Sequence, residues 1–140
     1  VRRKGVSMNL AFLLTPKADV AYIYDDFTLR QVLEKMEHHG YTAIPIINRE
    51  GEYVGTLTEG DLLWYIKNEH LLNLYDAEQE PVTEVPRHHD NSALPISTDI
   101  HDIFDLALNQ NFVPVVDDRG IFIGIITRKN ILQHCCNIDR

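Results

Sequence analysis

Two short blocks of the sequence carry side chains suited to binding a phosphorylated sugar. In each block a Thr stands three residues before Asp or Asn, as in Thr58 to Asp61 and Thr127 to Asn130. A Thr that ends a strand can cap the following helix, whose first N–H groups favour an anion. Asp or Asn can accept hydrogen bonds from a ribose diol, and Arg128-Lys129 can donate to phosphate. The blocks therefore predict a site for a nucleoside phosphate.

Both blocks belong to an internal repeat with one offset of 69 residues, as from Pro45 to Pro114. The other anchors at this offset are Gly51 and Gly120, Gly55 and Gly124, and the Thr and Asp or Asn positions of the two blocks. Upstream of each copy, apolar residues recur every three to four positions, which predicts an amphipathic helix. Thr28 and Asp99 are the predicted N-caps of these helices.

Each copy predicts the order strand, helix, strand, strand, helix. In the first copy we expect strands at 20–24, 43–48 and 53–57, and helices at 29–36 and from 59 to 68 or beyond. In the second copy we expect strands at 93–96, 113–116 and 122–126, and helices at 100–108 and 128–135. The fold class is therefore α/β (α+β), with two β-α-β-β-α repeats packed as one pseudo-two-fold module, because one copy cannot bury both faces of a small sheet alone.

The repeats also predict the domain organisation. We expect an N-terminal helical segment at 1–14, repeat 1 at 15–68, a connector at 69–81, repeat 2 at 82–136 and a tail at 137–140. A chain of 140 residues suits two packed half-domains of this kind, so we expect no appended catalytic domain.

The balance of acidic and basic residues limits which classes of binding partner we expect. With 13 Lys and Arg against 21 Asp and Glu, the formal net charge is −8, which disfavours nucleic acid. No apolar run approaches the roughly 18 residues of a membrane span. Adjacent Cys135 and Cys136 do not form a disulfide framework, so we expect a cytoplasmic protein with no nucleic-acid or membrane partner.

The sequence carries no pattern of a metal centre or an enzyme. His38-His39 and His88-His89 are adjacent pairs whose side chains point apart, and no Cys or carboxylate stands at ligand spacing, so we interpret them as surface histidines. No nucleophile motif, phosphate loop or acid pair is present. We therefore expect no metal, no cofactor and no catalysis.

These features resemble the cystathionine-beta-synthase (CBS) domain family, as a tandem pair over about residues 15–134. The resemblance is carried by Ala43-Ile44-Pro45, Phe112-Val113-Pro114, the turn glycines, and the Gly-x-x-Thr-x-x-Asp/Asn blocks. It implies a regulatory module that binds an adenine nucleotide (AMP, ADP or ATP) in the cleft between its repeats and forms homodimers through its helices. His39 to Pro45 and Gly124 to Lys129 also resemble stand-alone receptors for cyclic di-AMP in Gram-positive bacteria.

The resemblance implies two unequal sites, each with a base pocket from one copy and sugar and phosphate groups from the other. The main site is expected at Val20, Ala21, Tyr22, Tyr41, Thr42, Ala43, Ile44 and Pro45, with Thr127, Arg128, Lys129 and Asn130 opposite. The second, weaker site is expected at Ser92, Ala93, Phe112, Val113 and Pro114, with Thr58 and Asp61 opposite. It is weaker because Glu59 stands where the main site has Arg128 and would repel phosphate. Asn130 departs from the family's usual Asp.

Structural interpretations stay open beside these. Thr58 and Thr127 can be helix caps alone, the proline strands can be core, and Arg128-Lys129 can be solvated charges. Trp64 and Tyr65 can be packing or dimer surface. The alternative function is a ligand-free interaction module, and in either case an unidentified protein partner would read the dimer surface.

Overall fold

A computed structural model describes residues 10–40, 42–70 and 73–138. The chain forms two compact units, one from residues 21–90 and the other from the described parts of 1–20 and 91–140. The strands are β1 (Thr15–Pro16), β2 (Ile23–Tyr24), β3 (Ala43–Ile47), β4 (Tyr53–Thr58), β5 (Leu94–Pro95), β6 (Phe112–Val116) and β7 (Phe122–Thr127). The helices are α1 (Leu29–His39), α2 (Glu59–His70), α3 (Leu74–Ala77), α4 (Ile100–Asn109) and α5 (Arg128–Ile138).

The unit of residues 21–90 contains a three-stranded sheet in the order β2-β3-β4. β2 runs parallel to β3, and β3 runs antiparallel to β4. α1 begins at a capping box of Thr28 and Gln31 and ends at Gly40, whose φ of 66° suits a residue without a Cβ. All five residues of β3 are buried, so this strand forms the centre of the core.

The other unit contains a four-stranded sheet in the order β1-β7-β6-β5. β1 lies at the start of the first sequence repeat, but it pairs antiparallel with β7 of the second. We call residues 10–16 the lead segment; its Leu10 and Leu13 lie in the core of this unit. Asp99 caps α4 by accepting a hydrogen bond from the backbone N–H of His101 at 3.2 Å.

Residues 82–90, which we call the connecting segment, lie at the start of the second sequence repeat but pack against the first. Val82 and Val85 are buried in the core of the unit that contains β2, β3 and β4. The boundaries of the sequence repeats therefore differ from those of the compact units, because the first residues of each repeat pack on the sheet of the other.

The predicted fold class and the order of elements are confirmed in both copies. The strands expected at 20–24 and 93–96 are only two residues long, since only two residues of each pair with the neighbouring strand. The expected N-terminal helix is a 3-10 turn at Leu10–Phe12, and residues 1–9 lie outside the described part. The connector includes the short helix α3.

Candidate functional site

The first Thr-to-Asp block forms the start of α2. Thr58 Oγ1 accepts a hydrogen bond from the Asp61 N–H at 3.1 Å, and Asp61 Oδ2 accepts one from the Thr58 N–H at 3.1 Å. This reciprocal pair satisfies two backbone donors at the helix end. Thr58 therefore caps α2, and its assignment to the second site stays a prediction.

Asp61 also binds the connecting segment. Its Oδ1 lies 2.7 Å from Nδ1 of His88 and accepts the His88 backbone N–H at 3.2 Å. The Asp61 side chain is only 3% exposed. Burial alone would raise the pKa of Asp61, but the hydrogen bonds from His88 and Thr58 hold it below its ordinary value. No spacing in the sequence indicates this contact, and only the histidine pair itself points to the position.

The second block holds the lead segment instead. Thr127 Oγ1 accepts a hydrogen bond from the Asn130 N–H at 3.1 Å, which repeats the helix cap. The Asn130 amide then donates to the Leu13 carbonyl at 3.0 Å and to Thr15 Oγ1 at 2.8 Å. A carboxylate could not donate these bonds, so the structure explains why an amide stands at this position.

Arg128 contacts the end of α4. Its Nε donates to the carbonyl of Ala107 at 2.5 Å and its Nη2 to that of Leu108 at 3.4 Å. A cation at the start of α5 opposes that helix's dipole, while the same cation at the end of α4 is favoured. A guanidinium has five N–H donors and these contacts use two, so Arg128 can still bind an anion. Lys129 beside it is exposed.

The predicted base-pocket strands, β3 and β6, each begin beside the Thr that starts the block of the same unit. In one unit the Thr42 carbonyl accepts the Glu59 N–H at 2.9 Å, and Ala43 pairs with Thr58. In the other unit Phe112 pairs with Thr127. The unit of residues 21–90 therefore carries β3 beside Thr58, and the other unit carries β6 beside Thr127. The proline-strand residues are buried, namely Ala43, Ile44, Pro45, Phe112, Val113 and Pro114.

The remaining predicted site residues differ in exposure. Val20 and Ala21 are buried, at 7% and 5% exposed. Tyr22 is half-buried against the edge of the Tyr24 ring, with 5.7 Å between centroids, and burial followed by contact with Tyr24 raises the pKa of Tyr22. Tyr41 lies outside the described residues.

The remaining second-site residues lie before β5. Ser92 is exposed, and its backbone N–H donates to Gln110 Oε1 at 2.7 Å. Ala93 is half-buried. The structure thus places every predicted residue except Tyr41, and the site assignment itself stays a prediction.

The helices α1 and α2 form an open groove of about 620 Å³ in the unit of residues 21–90. Its apolar wall comprises Leu33, Met36, Leu62, Leu63 and Ile66. Leu63 is 56% exposed, and its counterpart at the repeat offset, Leu132 on α5, is 63% exposed. These equivalent leucines leave apolar surface on the corresponding helix of each unit.

Two features are absent from the part of the chain that the structure describes. No group of three or more His, Cys, Asp or Glu side chains there is arranged to hold a metal ion. No described helix is long and apolar enough to cross a membrane.

Comparison with protein families now gives the class of the chain. The CBS domain model matches twice, at residues 13–68 and 82–136. The chain therefore belongs to the CBS domain family, as a pair of CBS repeats.

Two relatives narrow the comparison. Cyclic di-AMP receptor B of Bacillus subtilis (strain 168) is 29% identical over 119 residues, covering 81% of this chain and 77% of the receptor. The crystal structure of CbpB in complex with c-di-AMP matches with a TM-score of 0.83 and 27% identity, covering 94% of this chain and 87% of CbpB.

Other relatives are longer than this chain. MK0525 of Methanopyrus kandleri is 29% identical over 110 residues, and the match covers 76% of this chain but 53% of that protein. The chain likewise spans 45% of MJ1225 of Methanocaldococcus jannaschii. It therefore spans about half the length of these two curated relatives.

Proposed function

We propose that this CBS pair is a non-catalytic regulatory module that binds an adenine nucleotide, with cyclic di-AMP as the first candidate and AMP, ADP and ATP as the others. The observation that carries the proposal is the likeness, over 94% of the chain, to CbpB solved with c-di-AMP. The similarity to cyclic di-AMP receptor B supports the same ligand. No resident cofactor is part of the proposal.

The proposed phosphate-binding residues of the main site are Arg128 and Lys129. Both stand at the first turn of α5, where backbone N–H groups and the helix dipole add to the attraction for an anion. Arg128 is already oriented by the α4 carbonyls, so little side-chain entropy is lost when it binds phosphate. As the family resemblance implies, the base pocket comes from the other repeat, around Tyr22 and Thr42 to Pro45.

The proposed output is a population shift. A nucleotide that binds one arrangement of the helices more tightly than another favours that arrangement, and a partner protein reads the result. We propose that the module is a homodimer whose interface includes Leu63 and Leu132, because these exposed leucines occupy equivalent positions on α2 and α5.

Thermal unfolding with cyclic di-AMP, AMP, ADP and ATP tests the proposal. A ligand at one hundred times its Kd stabilises the folded chain by about 2.7 kcal/mol. We expect Arg128→Ala to remove most of this stabilisation, while Arg119→Ala, a matched change at an exposed turn of the same unit, preserves it.

Two results would count against the proposal in different ways. If none of the four nucleotides raises Tm, the nucleotide-binding function is wrong and the ligand-free interaction module takes its place. If a nucleotide stabilises the wild type and Arg128→Ala equally, the nucleotide-binding function stands but Arg128 is not the residue that binds the phosphate.

A further inference from the structure

The two blocks that would face the sugar of a nucleotide differ in what occupies them. On the described side chains, the Asp61 carboxylate is contacted by an imidazole, while the Asn130 amide contacts a backbone carbonyl and a hydroxyl. His88 belongs to the connecting segment and not to the block itself. A side chain of the protein itself therefore occupies the position at which a ribose would bind Asp61.

The acceptor positions of Asp61 are largely filled. A carboxylate oxygen offers about two lone-pair positions. On Oδ1, both are used by the His88 ring at 2.7 Å and the His88 backbone N–H at 3.2 Å. Oδ2 accepts the Thr58 N–H that caps α2. A ribose diol donates two hydrogen bonds, so it cannot bind Asp61 without displacing the ring.

The His88 ring also covers Asp61 sterically. The side chain of His88 is 61% exposed while that of Asp61 is 3% exposed, so the ring lies on the solvent side of the carboxylate.

We infer that His88 closes the second site, so that the unmodified chain accepts a nucleoside or nucleotide at the main site only. This inference rests on the proposed function, since it concerns which of the two sites takes the ligand. His88 is a specificity-determining residue that acts by occupying the ribose acceptor. Removing the ring opens Asp61 to a ribose diol.

The charge of Glu59, close to Asp61, determines which ligand should be used to test the inference. Glu59, exposed at the start of α2, stands one turn or less from Asp61 and repels a phosphate. The opened site therefore favours an uncharged nucleoside. Adenosine is the probe, and 2′,3′-dideoxyadenosine, which lacks the diol, is its control.

The test is the number of adenosine molecules bound per chain, measured by isothermal titration calorimetry on the full chain. We expect His88→Ala to bind one more adenosine than the wild type, and 2′,3′-dideoxyadenosine not to occupy that extra site. His89→Ala, an exposed neighbouring histidine, should match the wild type. His88→Ser, which keeps the backbone N–H to Asp61 and a small polar side chain, repeats the test if the alanine variant is poorly folded.

An unchanged adenosine count in both His88 variants overturns the inference. So does an extra molecule in His89→Ala as well, because the cause would then be a loosened connecting segment. Neither result bears on nucleotide stabilisation of the wild type and its loss in Arg128→Ala, so failure of the inference and failure of the proposed function are distinguishable.

Discussion

At the scale of single residues, Asp61 and Asn130 are equivalent in sequence but opposite in hydrogen-bonding role. Asp61 accepts bonds from the His88 backbone and ring. Asn130 donates to Leu13 and Thr15. The difference between Asp and Asn at the two block ends follows from whether the neighbouring segment offers donors or acceptors.

Asn130→Asp should therefore destabilise the chain although it restores the family's usual residue. The new carboxylate faces the Leu13 carbonyl with no donor, and we expect a loss of about 1–3 kcal/mol in the free energy of unfolding. Urea denaturation measures it, with Gln133→Glu on the exposed face of α5 as the control for added charge. Equal midpoints for the two variants would contradict this account of Asn130.

At the scale of elements, Gly55 allows the connecting segment, and Gly124 the lead segment, to approach a strand closely. A Cβ on Gly124 would collide with the Thr15 carbonyl and lie 2.9 Å from Leu14 Cδ1. A Cβ on Gly55 would collide with the Asp90 carboxylate, which accepts the Thr56 N–H at 3.0 Å. The glycine repeat in the sequence thus marks the places where another segment crosses a strand.

Gly124→Ala should weaken the pairing of β1 with β7. The colliding atom belongs to the backbone, so the lead segment must move, and we expect a loss of about 1–3 kcal/mol. Gly60→Ala is the matched control, because a Cβ there meets Thr58 Oγ1 only at 3.7 Å and the position is helical. Urea unfolding should show opposite signs for the two variants, and a neutral Gly124→Ala would show that β1 tolerates displacement.

Local patterns account for what the sequence could predict at this scale. Helices α1 and α4, their caps Thr28 and Asp99, and the paired strands follow from spacing and capping within a few residues. The pairing of Thr15 with Ile125 joins positions far apart in the chain, and β1 is too short to show a period. The contact between His88 and Asp61, and the bond from Arg128 to Ala107, depend equally on tertiary structure.

At the scale of the whole molecule, the proposed dimer can be tested through its exposed leucines. We expect Leu63→Glu with Leu132→Glu to convert a dimer into a monomer in size-exclusion chromatography with light scattering, because each buried charge costs several kcal/mol. Val54→Glu, at an exposed apolar residue on β4, should leave the mass unchanged. A monomeric wild type, or a double variant that stays dimeric, would refute this interface.

The exchange of segments between the two sequence repeats also sets an order of folding. The unit of residues 21–90 is continuous, so all of its strands have left the ribosome before β7 has been made. The other unit cannot pair Thr15 with Ile125 until the chain between them is complete, and closing so long a loop is slow. During synthesis, Leu10 and Leu13 therefore lack their final apolar neighbours until α4, β6 and β7 have been made, so the lead segment exposes two leucines that the finished fold buries.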